Sequence, residues 1–372
     1  MLQGNPGLVL PYIQLRSKYH VAYRKYRRLW KDYVMAKGRI TIAAIAEELG
    51  VSVPTISRVL NGREDVSEKT RLRVEEALTR HNYRKPVAVN ATSRPADLLD
   101  LVFHEAGSGW AHEIVRGVEY AAGPEHIGVV LSQLGGSHRP SNEWLDSIVA
   151  RRSIGVVLVL SGLDAAQRHQ LDSRSIPYVV IDAHGDPGLG VPTVGSNNWN
   201  GGLVATRHLI GLGHTRIAVI SGPADVLCSR ARVDGFKSAH DEAGLACDPE
   251  LIRWGDFEKT RGYQHALELL QAPNRPTAIF AGSDYQALGV MRAARELGLV
   301  IPRDLSVVGY DDLPITEWLT PPLTTVRQPL KEMSMLATQM LISIARGEKL
   351  VSSRVELGTE LMVRESTAPP LS

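Results

Sequence analysis

The chain has 372 residues, 44% of them hydrophobic and 22% charged, with 42 Lys and Arg against 40 Asp and Glu. That length suits two or three domains, and that apolar share a sizeable core. No apolar run approaches the roughly 18 residues of a membrane span; "IGVVLVL" (154–160) has the length of a buried strand. The charge balance hides an asymmetry: residues 1–95 carry 18 basic and 8 acidic side chains, the remainder 24 and 32. A basic head on an acidic body points to a polyanion as partner for the head, or to a basic tail without a partner. The first residues do not read as a secretory signal, because the basic cluster follows the short apolar stretch. Two cysteines, Cys228 and Cys247, are too few for a four-thiolate site and fit packing roles in a reduced, cytoplasmic setting.

Residues 1–38 stand apart. "YRKYRRLWKDY" (23–33) is basic and aromatic without core periodicity. It reads either as an extra nucleic-acid-contacting arm or, the preferred expectation, as a disordered extension or a start-site artefact. Met35 opens "MAKGRITIAAIAEELG" just before the first patterned helix.

Three helices are expected over 39–83. Ile42, Ile45, Ala46 and Leu49 share one face of the first at helical spacing. Gly50 can take positive φ and end it. Ser52 is a good N-cap for the second, and Pro54 falls in its first turn, where a missing N–H has no helical partner to lose. Ile56, Val59 and Leu60 face inward. Val53, Pro54, Thr55, Ser57 and Arg58 remain on the start and outer side. Such a tight pair with a polar outer face suits insertion into the DNA major groove, where Arg58 can pair bidentately with guanine. The third helix starts at Ser67 as N-cap, with Val74, Ala77 and Leu78 on one side, and its first amides can hold a phosphate. A purely structural three-helix bundle is the alternative.

"RKPVAVNATSRPAD" (84–97) reads as a linker. From Leu99 the pattern changes. Apolar runs "LDLVF", "IGVVL", "IGVVLVL", "PYVVID", "RIAVISG", "TAIFAG" and "LSVVGYDD" alternate with helical stretches that include 111–122, 197–211, 259–270 and 285–297. Such alternation indicates parallel sheets covered on both faces, enough for two α/β subdomains. Ligands of open α/β sheets bind beyond the carboxyl ends of the strands. Those ends offer His104, Glu105, Asp182, Ser221, Ser283, Asp284, Asp311 and Asp312, with Trp110, Arg232 and Phe257 in or just after the following loops. Carboxylates, an arginine and aromatic rings suit a polyol, whose hydroxyls they bond and whose apolar face they stack. Other readings are weaker. "DAH" (182–184) lacks a third metal ligand, so no metal is expected. "YDD" lacks a partnered nucleophile, so no catalysis is expected. Asp312 suits a cap, and Trp199 either core or pocket. No phosphate loop or dinucleotide fingerprint is present, and no cofactor is expected.

The stretch "TIAAIAEELGVSVPTISRVLNGREDVSEKTRLRVEEALTRHNY" (41–83) resembles the DNA-binding headpiece of the LacI/GalR family of bacterial repressors. The resemblance implies that Val53, Pro54 and Arg58 face bases and that Ser52, Thr55, Ser57, Asn61, Ser67 and Thr70 lie near the DNA backbone. It continues over 99–366 in "SNNWNGGLVATRHLIGLGHTRIAVISGP", "RVDGF", "GDFEKTRGY", "TAIFAGSDYQALG", "LSVVGYDD" and "PPLTTVRQPL", which are similar to the family's effector domain. That domain is itself similar to periplasmic sugar-binding proteins. By position the pocket would comprise Trp110, Asp182, Asn197, Arg232, Phe257, Ser283, Asp311 and Gln328. The family's hinge commonly puts a leucine into the minor groove, and here Thr92 or Ser93 falls there.

The expected architecture is α plus α/β. A helix-turn-helix domain (39–83) and a hinge (84–98) precede a two-subdomain effector-binding and dimerisation domain (99–372). Its subdomains are expected at about 99–195 and 196–327, with shared C-terminal segments. The resemblance implies a cytoplasmic homodimeric regulator, a repressor of transcription, binding a pseudo-palindromic double-stranded operator under control of a small effector, a sugar before others. The rivals are a sugar-transport module, which would need an export signal and not residues 41–83, and an enzyme on the same scaffold.

Overall fold

Helix punctuation shapes the N-terminal unit. A computed structural model of the chain describes residues 42–60, 66–81, 97–135 and 138–371, and the chain divides into two units, 1–93 and 94–372. Asn61, the extension 1–38 and the linker positions Thr92 and Ser93 lie outside the described residues. Helix α1 (Ile42–Leu49) ends at Gly50, whose φ is +65°. Ser52 then starts α2 (Val53–Leu60), its hydroxyl accepting from the Thr55 amide at 3.3 Å. Ser67 caps α3 (Glu68–Arg80) in the same way through the Thr70 amide. Ile45, Ala46, Ile56, Val59, Val74 and Ala77 belong to one buried cluster. Glu48 accepts from Arg80 at 3.0 Å, and the His81 ring lies 2.6 Å from its other oxygen, fastening α1 to the end of α3.

In the second unit the apolar runs become two six-stranded sheets. The first uses β1 (Leu98–Phe103), β2 (Gly128–Gln133), β3 (Gly155–Val159), β4 (Tyr178–Ile181), β5 (Thr193–Ser196) and β11 (Arg354–Leu357), in the order β11-β5-β4-β3-β1-β2. The second uses β6 (Ile217–Ser221), β7 (Ile252–Trp254), β8 (Ala278–Ala281), β9 (Ser306–Asp311), β10 (Thr324–Arg327) and β12 (Glu360–Met362), in the order β12-β10-β9-β8-β6-β7. All neighbours are parallel except β10 with β12.

Each sheet is apolar on both faces because helices cover both. Leu99, Leu101 and Phe103 of β1 point to one cluster and Val102 to another, as the two-residue period of a strand requires. Helices α4 (Gly109–Ala122), α5 (Asn142–Arg151) and α6 (Ala165–Asp172) follow β1, β2 and β3; α8 (Leu227–Glu242), α9 (Lys259–Leu270) and α10 (Asp284–Glu296) follow β6, β7 and β8. Two helices change subdomain. α7 (Asn198–Gly211) leaves β5 to pack on α8, and α11 (Leu330–Ala345) leaves β10 to pack on α4. With the step from β11 to β12, the chain crosses between the sheets three times. Among the described residues no helix is long and apolar enough to cross a membrane.

The pair α7 and α8 carries Arg232 into the centre of the second unit, and glycines set their separation. A Cβ on Gly202 would lie 2.1 Å from the Arg232 carbonyl oxygen, and one on Gly235 2.1 Å from that of Trp199. Gly235→Ala in the full chain is therefore expected to cost about 1–3 kcal/mol by overpacking. Gly211→Ala, where a Cβ meets nothing within 4 Å, should be neutral or stabilising by up to about 1 kcal/mol. Urea midpoints of the two variants check this, and equal midpoints would refute close backbone contact as the reason for glycine at 235.

Candidate functional site

Two separate regions carry exposed or enclosed polar chemistry. In the N-terminal unit, the outer side of α2 presents Val53 at 41% exposure, with Pro54 and Arg58 also exposed and Thr55 and Ser57 half-buried. Ile56 and Val59 hold the opposite side in the core, so the helix cannot turn its outer face inward. Ser52 and Ser67 lie exposed at the helix starts, and Thr70 is half-buried beside Ser67. A small helix anchored on one side, with a guanidinium and a valine on the other, has the shape and chemistry that a DNA groove accepts.

In the second unit a cavity of about 270 Å³ lies between the carboxyl ends of the two sheets. Six of the eight sequence-derived pocket residues border it. Trp110 and Asp182 come from the first subdomain; Arg232, Phe257, Ser283 and Asp311 come from the second. Trp110 stands in the first turn of α4, which Ser108 caps by accepting from the Ala111 amide at 3.2 Å. Four residues bordering the cavity have left-handed backbones: Leu160 at φ 48°, Asp182 at 45°, Phe257 at 65° and Asp311 at 119°. Such strain in non-glycine residues persists only where the surroundings over-determine it, and it concentrates at ligand sites.

Arg232 is the pivot of the cavity. It is 3% exposed, and its guanidinium donates to Asn198 Oδ1 at 2.9 Å and to the Gly282 carbonyl. Its central carbon lies 3.7 Å from the Tyr310 ring centroid and 5.4 Å from that of Phe257. Both rings lie within cation–π reach of the guanidinium. Burial pushes the Asp182 carboxyl up to about 6, against the pull of Arg232 and of bonds from the Ser196 amide and Asn198. Burial likewise raises Asp311, opposed by Arg232 and by Gln328. Asp284, buried behind it, is raised by burial and by Asp311, and accepts from Thr325 at 2.6 Å and the Leu313 amide at 2.8 Å. Burial pushes the Cys228 thiol on the cavity wall up to about 12, so it stays neutral. At the mouth, burial and the neighbouring Asp256 and Glu105 raise Glu258.

Several expected roles change. Asn197 does not border the cavity: its side chain caps α7 by accepting from the Asn200 amide at 2.9 Å, and the next residue, Asn198, turns inward to Arg232. Gln328 sits one layer behind, donating to Asp311 at 2.7 Å and accepting from Ser196 at 2.6 Å. Ser283 borders the cavity, but its hydroxyl donates to the Phe257 carbonyl at 2.7 Å and so holds that strained residue in place. Ser221 donates to the Ser229 carbonyl. Asp312 is neither ligand nor cap but the acceptor of Arg327 and Arg364, both at 2.7 Å. Trp199, 43% exposed, belongs neither to the core nor to the cavity wall. Tyr285 was not foreseen: its hydroxyl accepts from the Gly109 amide at 2.8 Å, joining α10 of one subdomain to α4 of the other at the cavity edge. No local periodicity marks that residue. Among the described residues no three His, Cys, Asp or Glu side chains converge as metal ligands.

Comparison with known proteins agrees with both regions. Residues 41–85 match the bacterial regulatory proteins of the lacI family, and residues 206–367 the periplasmic binding protein-like domain. The ribose operon repressor of Escherichia coli (strain K12) is 33% identical over 335 residues, covering 88% of this chain and 99% of that protein. Among solved structures, the complex of the transcriptional regulator CelR with cellobiose is 35% identical, with a TM-score of 0.64, covering 88% of this chain and 100% of that one. The lac repressor dimer bound to operator and the anti-inducer ONPF is 27% identical, with a TM-score of 0.65 over 89% of this chain and 100% of that one. Because similarity runs through the headpiece and the two-sheet body together, and nearly end to end in relatives a third identical, the chain belongs to the LacI family of bacterial regulatory proteins.

Proposed function

We propose that the protein is a cytoplasmic transcriptional repressor whose affinity for a pseudo-palindromic operator is set by a small polyhydroxylated effector, a sugar, bound between its subdomains. The observation that carries the effector part is the buried Arg232 between strained Asp182 and Asp311 on a cavity bordered by Trp110 and Phe257. Carboxylates and a guanidinium bond vicinal hydroxyls, and aromatic faces stack on the C–H face of a sugar ring. The cellobiose complex of CelR and the ribose operon repressor make cellobiose and ribose the first probes. The proposed division is 39–83 for DNA binding and 99–372 for effector binding and dimerisation, a homodimer presenting two recognition helices to two half-sites. On this reading the site binds rather than catalyses: its thiol is neutral, and the chain belongs to a family of regulatory proteins. Effector binding shifts the population between subdomain arrangements of different operator affinity.

On the DNA side, Arg58→Ala should cost about 1–3 kcal/mol on the operator and relax base preference at one position. Wild-type affinity should fall with salt at a log–log slope of about −0.9 per phosphate neutralised. The chain's own promoter region is the first fragment to titrate, and a variant with undiminished affinity and selectivity would remove Arg58 from the groove.

On the effector side, Asp182→Asn keeps the shape of the side chain and removes its charge. Loss of a charge-assisted bond should weaken binding of the active sugar roughly ten- to a hundredfold. Operator binding without sugar should persist, because the headpiece is untouched. Calorimetry with cellobiose and ribose beside operator titration measures both, and unchanged sugar affinity would exclude Asp182 from the site.

The raised carboxyl of Asp182 also sets a pH signature. The folded protein holds that proton up to about pH 6, whereas an unfolded chain releases it in the ordinary carboxylate range. The associated stability is present at low pH and lost as pH rises through about 6. Sugar hydroxyls donate more strongly to the ionised form, so effector affinity should move the other way and increase over the same window. The differences in effector-free melting and in sugar affinity between wild type and Asp182→Asn, followed from pH 5 to 8, test this opposition. Parallel trends would contradict it.

A further inference from the structure

Three histidines from the carboxyl-end loops of the first sheet stack in a row that starts at the effector cavity, which His104 borders, and leads to a second cavity, which His138 and His184 border. His104 follows β1, His138 follows β2 and His184 follows β4. The His104 and His138 ring centroids are 3.8 Å apart with planes 9° from parallel, and those of His138 and His184 are 4.0 Å apart at 31°. His138 Nδ1 lies 2.7 Å from the Leu160 carbonyl oxygen, which makes that nitrogen the proton carrier. At the end of the stack His184 Nε2 is 3.3 Å from a carboxylate oxygen of Asp225. Asp225 belongs to the loop between β6 and α8, on the other subdomain. The Leu227 amide donates to the His184 carbonyl at 3.1 Å in the same place, so side chain and backbone both bridge the rim.

We infer that His184 and Asp225 are positioning residues of the effector cleft, a clasp across its rim that tightens when the imidazole is protonated. The inference rests on the effector reading for its consequence, since His104 at the other end of the stack borders the effector cavity. Imidazole is the side chain that ordinarily changes charge between pH 5 and 8, and only its charged form makes an ion pair with a carboxylate. The middle ring suits a spacer. Burial lowers His138, against the pull of its bond to Leu160, and so favours the neutral form of the ring between His184 and His104. Stacking on it restrains the His184 ring, whose Nε2 is buried 3.3 Å from the Asp225 carboxylate without a hydrogen bond to it. The remaining charged groups nearby are Arg139, Arg168 and Asp186, which with His138 and His184 border a second cavity of about 150 Å³. The clasp exists only when the subdomains are close.

Hydrogen exchange at the Leu227 amide reads this directly in the full-length protein with no sugar present. Asp225 is 74% exposed, so Asp225→Asn should fold normally. At pH 6 the variant should exchange about two- to fivefold faster than wild type, the range of an exposed ion pair. At pH 8 the two should agree, and Asp225→Glu should restore protection at pH 6. Titration of Asp182 is common to all these proteins and cancels in each comparison. Equal exchange at pH 6, or the same difference at both pH values, would overturn the clasp. Either outcome leaves the effector reading untouched, whereas failure of cellobiose and ribose to bind wild type would count against that reading and not against the clasp.

Discussion

A buried guanidinium organises the second unit. Arg232 is removed from water, and a lone buried cation is too costly to persist without partners. Its partners come from distant parts of the chain: Asn198 at the start of α7, the Gly282 carbonyl after β8, the Tyr310 ring on β9 and the Asp182 carboxylate from the first subdomain. The close glycine contact of α7 and α8 exists at the level of this residue. Satisfying one charge thus ties both sheets to the same point in space, and that point borders the cavity.

The same arrangement explains why the cavity can respond to a ligand. Its walls belong to two sheets joined by three crossings, and the apolar clusters divide between the sheets except that Leu313 and Tyr285 of the second subdomain reach the cluster of the first. A hinge at the crossings leaves most of those clusters intact and changes chiefly what meets across the cleft. What meets there is limited: Leu313 and Tyr285 against the first sheet's cluster, the Tyr285 hydroxyl on the Gly109 amide at one edge, and His184 with Asp225 and Leu227 at another. Contacts of that strength suit an equilibrium between arrangements that a small ligand can shift. Carboxylates held partly protonated by burial are a cost to the empty protein that a hydroxyl-rich ligand can offset.

Much of this was legible before any coordinates. Continuous apolar runs such as "IGVVLVL" announce strands covered on both faces, and the residues that follow them, Asp182 and Asp311, stand where parallel strands end. The punctuation Gly50, Ser52 and Pro54 is local chemistry and produces a local result. The short strands β5, β7, β10, β11 and β12 were not foreseen, because three or four residues outside a continuous apolar run carry too little pattern to separate from loop.

Local periodicity and capping therefore specified the helices of the N-terminal unit, α4, α7, α9 and α10, the main strands and the carboxylates at the strand ends. These are properties of neighbouring residues along the chain. The side-chain assignments inside the cleft depended on packing instead. Two adjacent asparagines are equivalent in composition, and only the direction of α7 makes Asn197 a cap and Asn198 a partner of Arg232. Gln328 lies behind Asp311, Asp312 joins an arginine knot, and three histidines far apart in sequence stack ring on ring. Each of these contacts needs strand ends from different crossovers to meet, and no window of sequence contains both sides of such a contact.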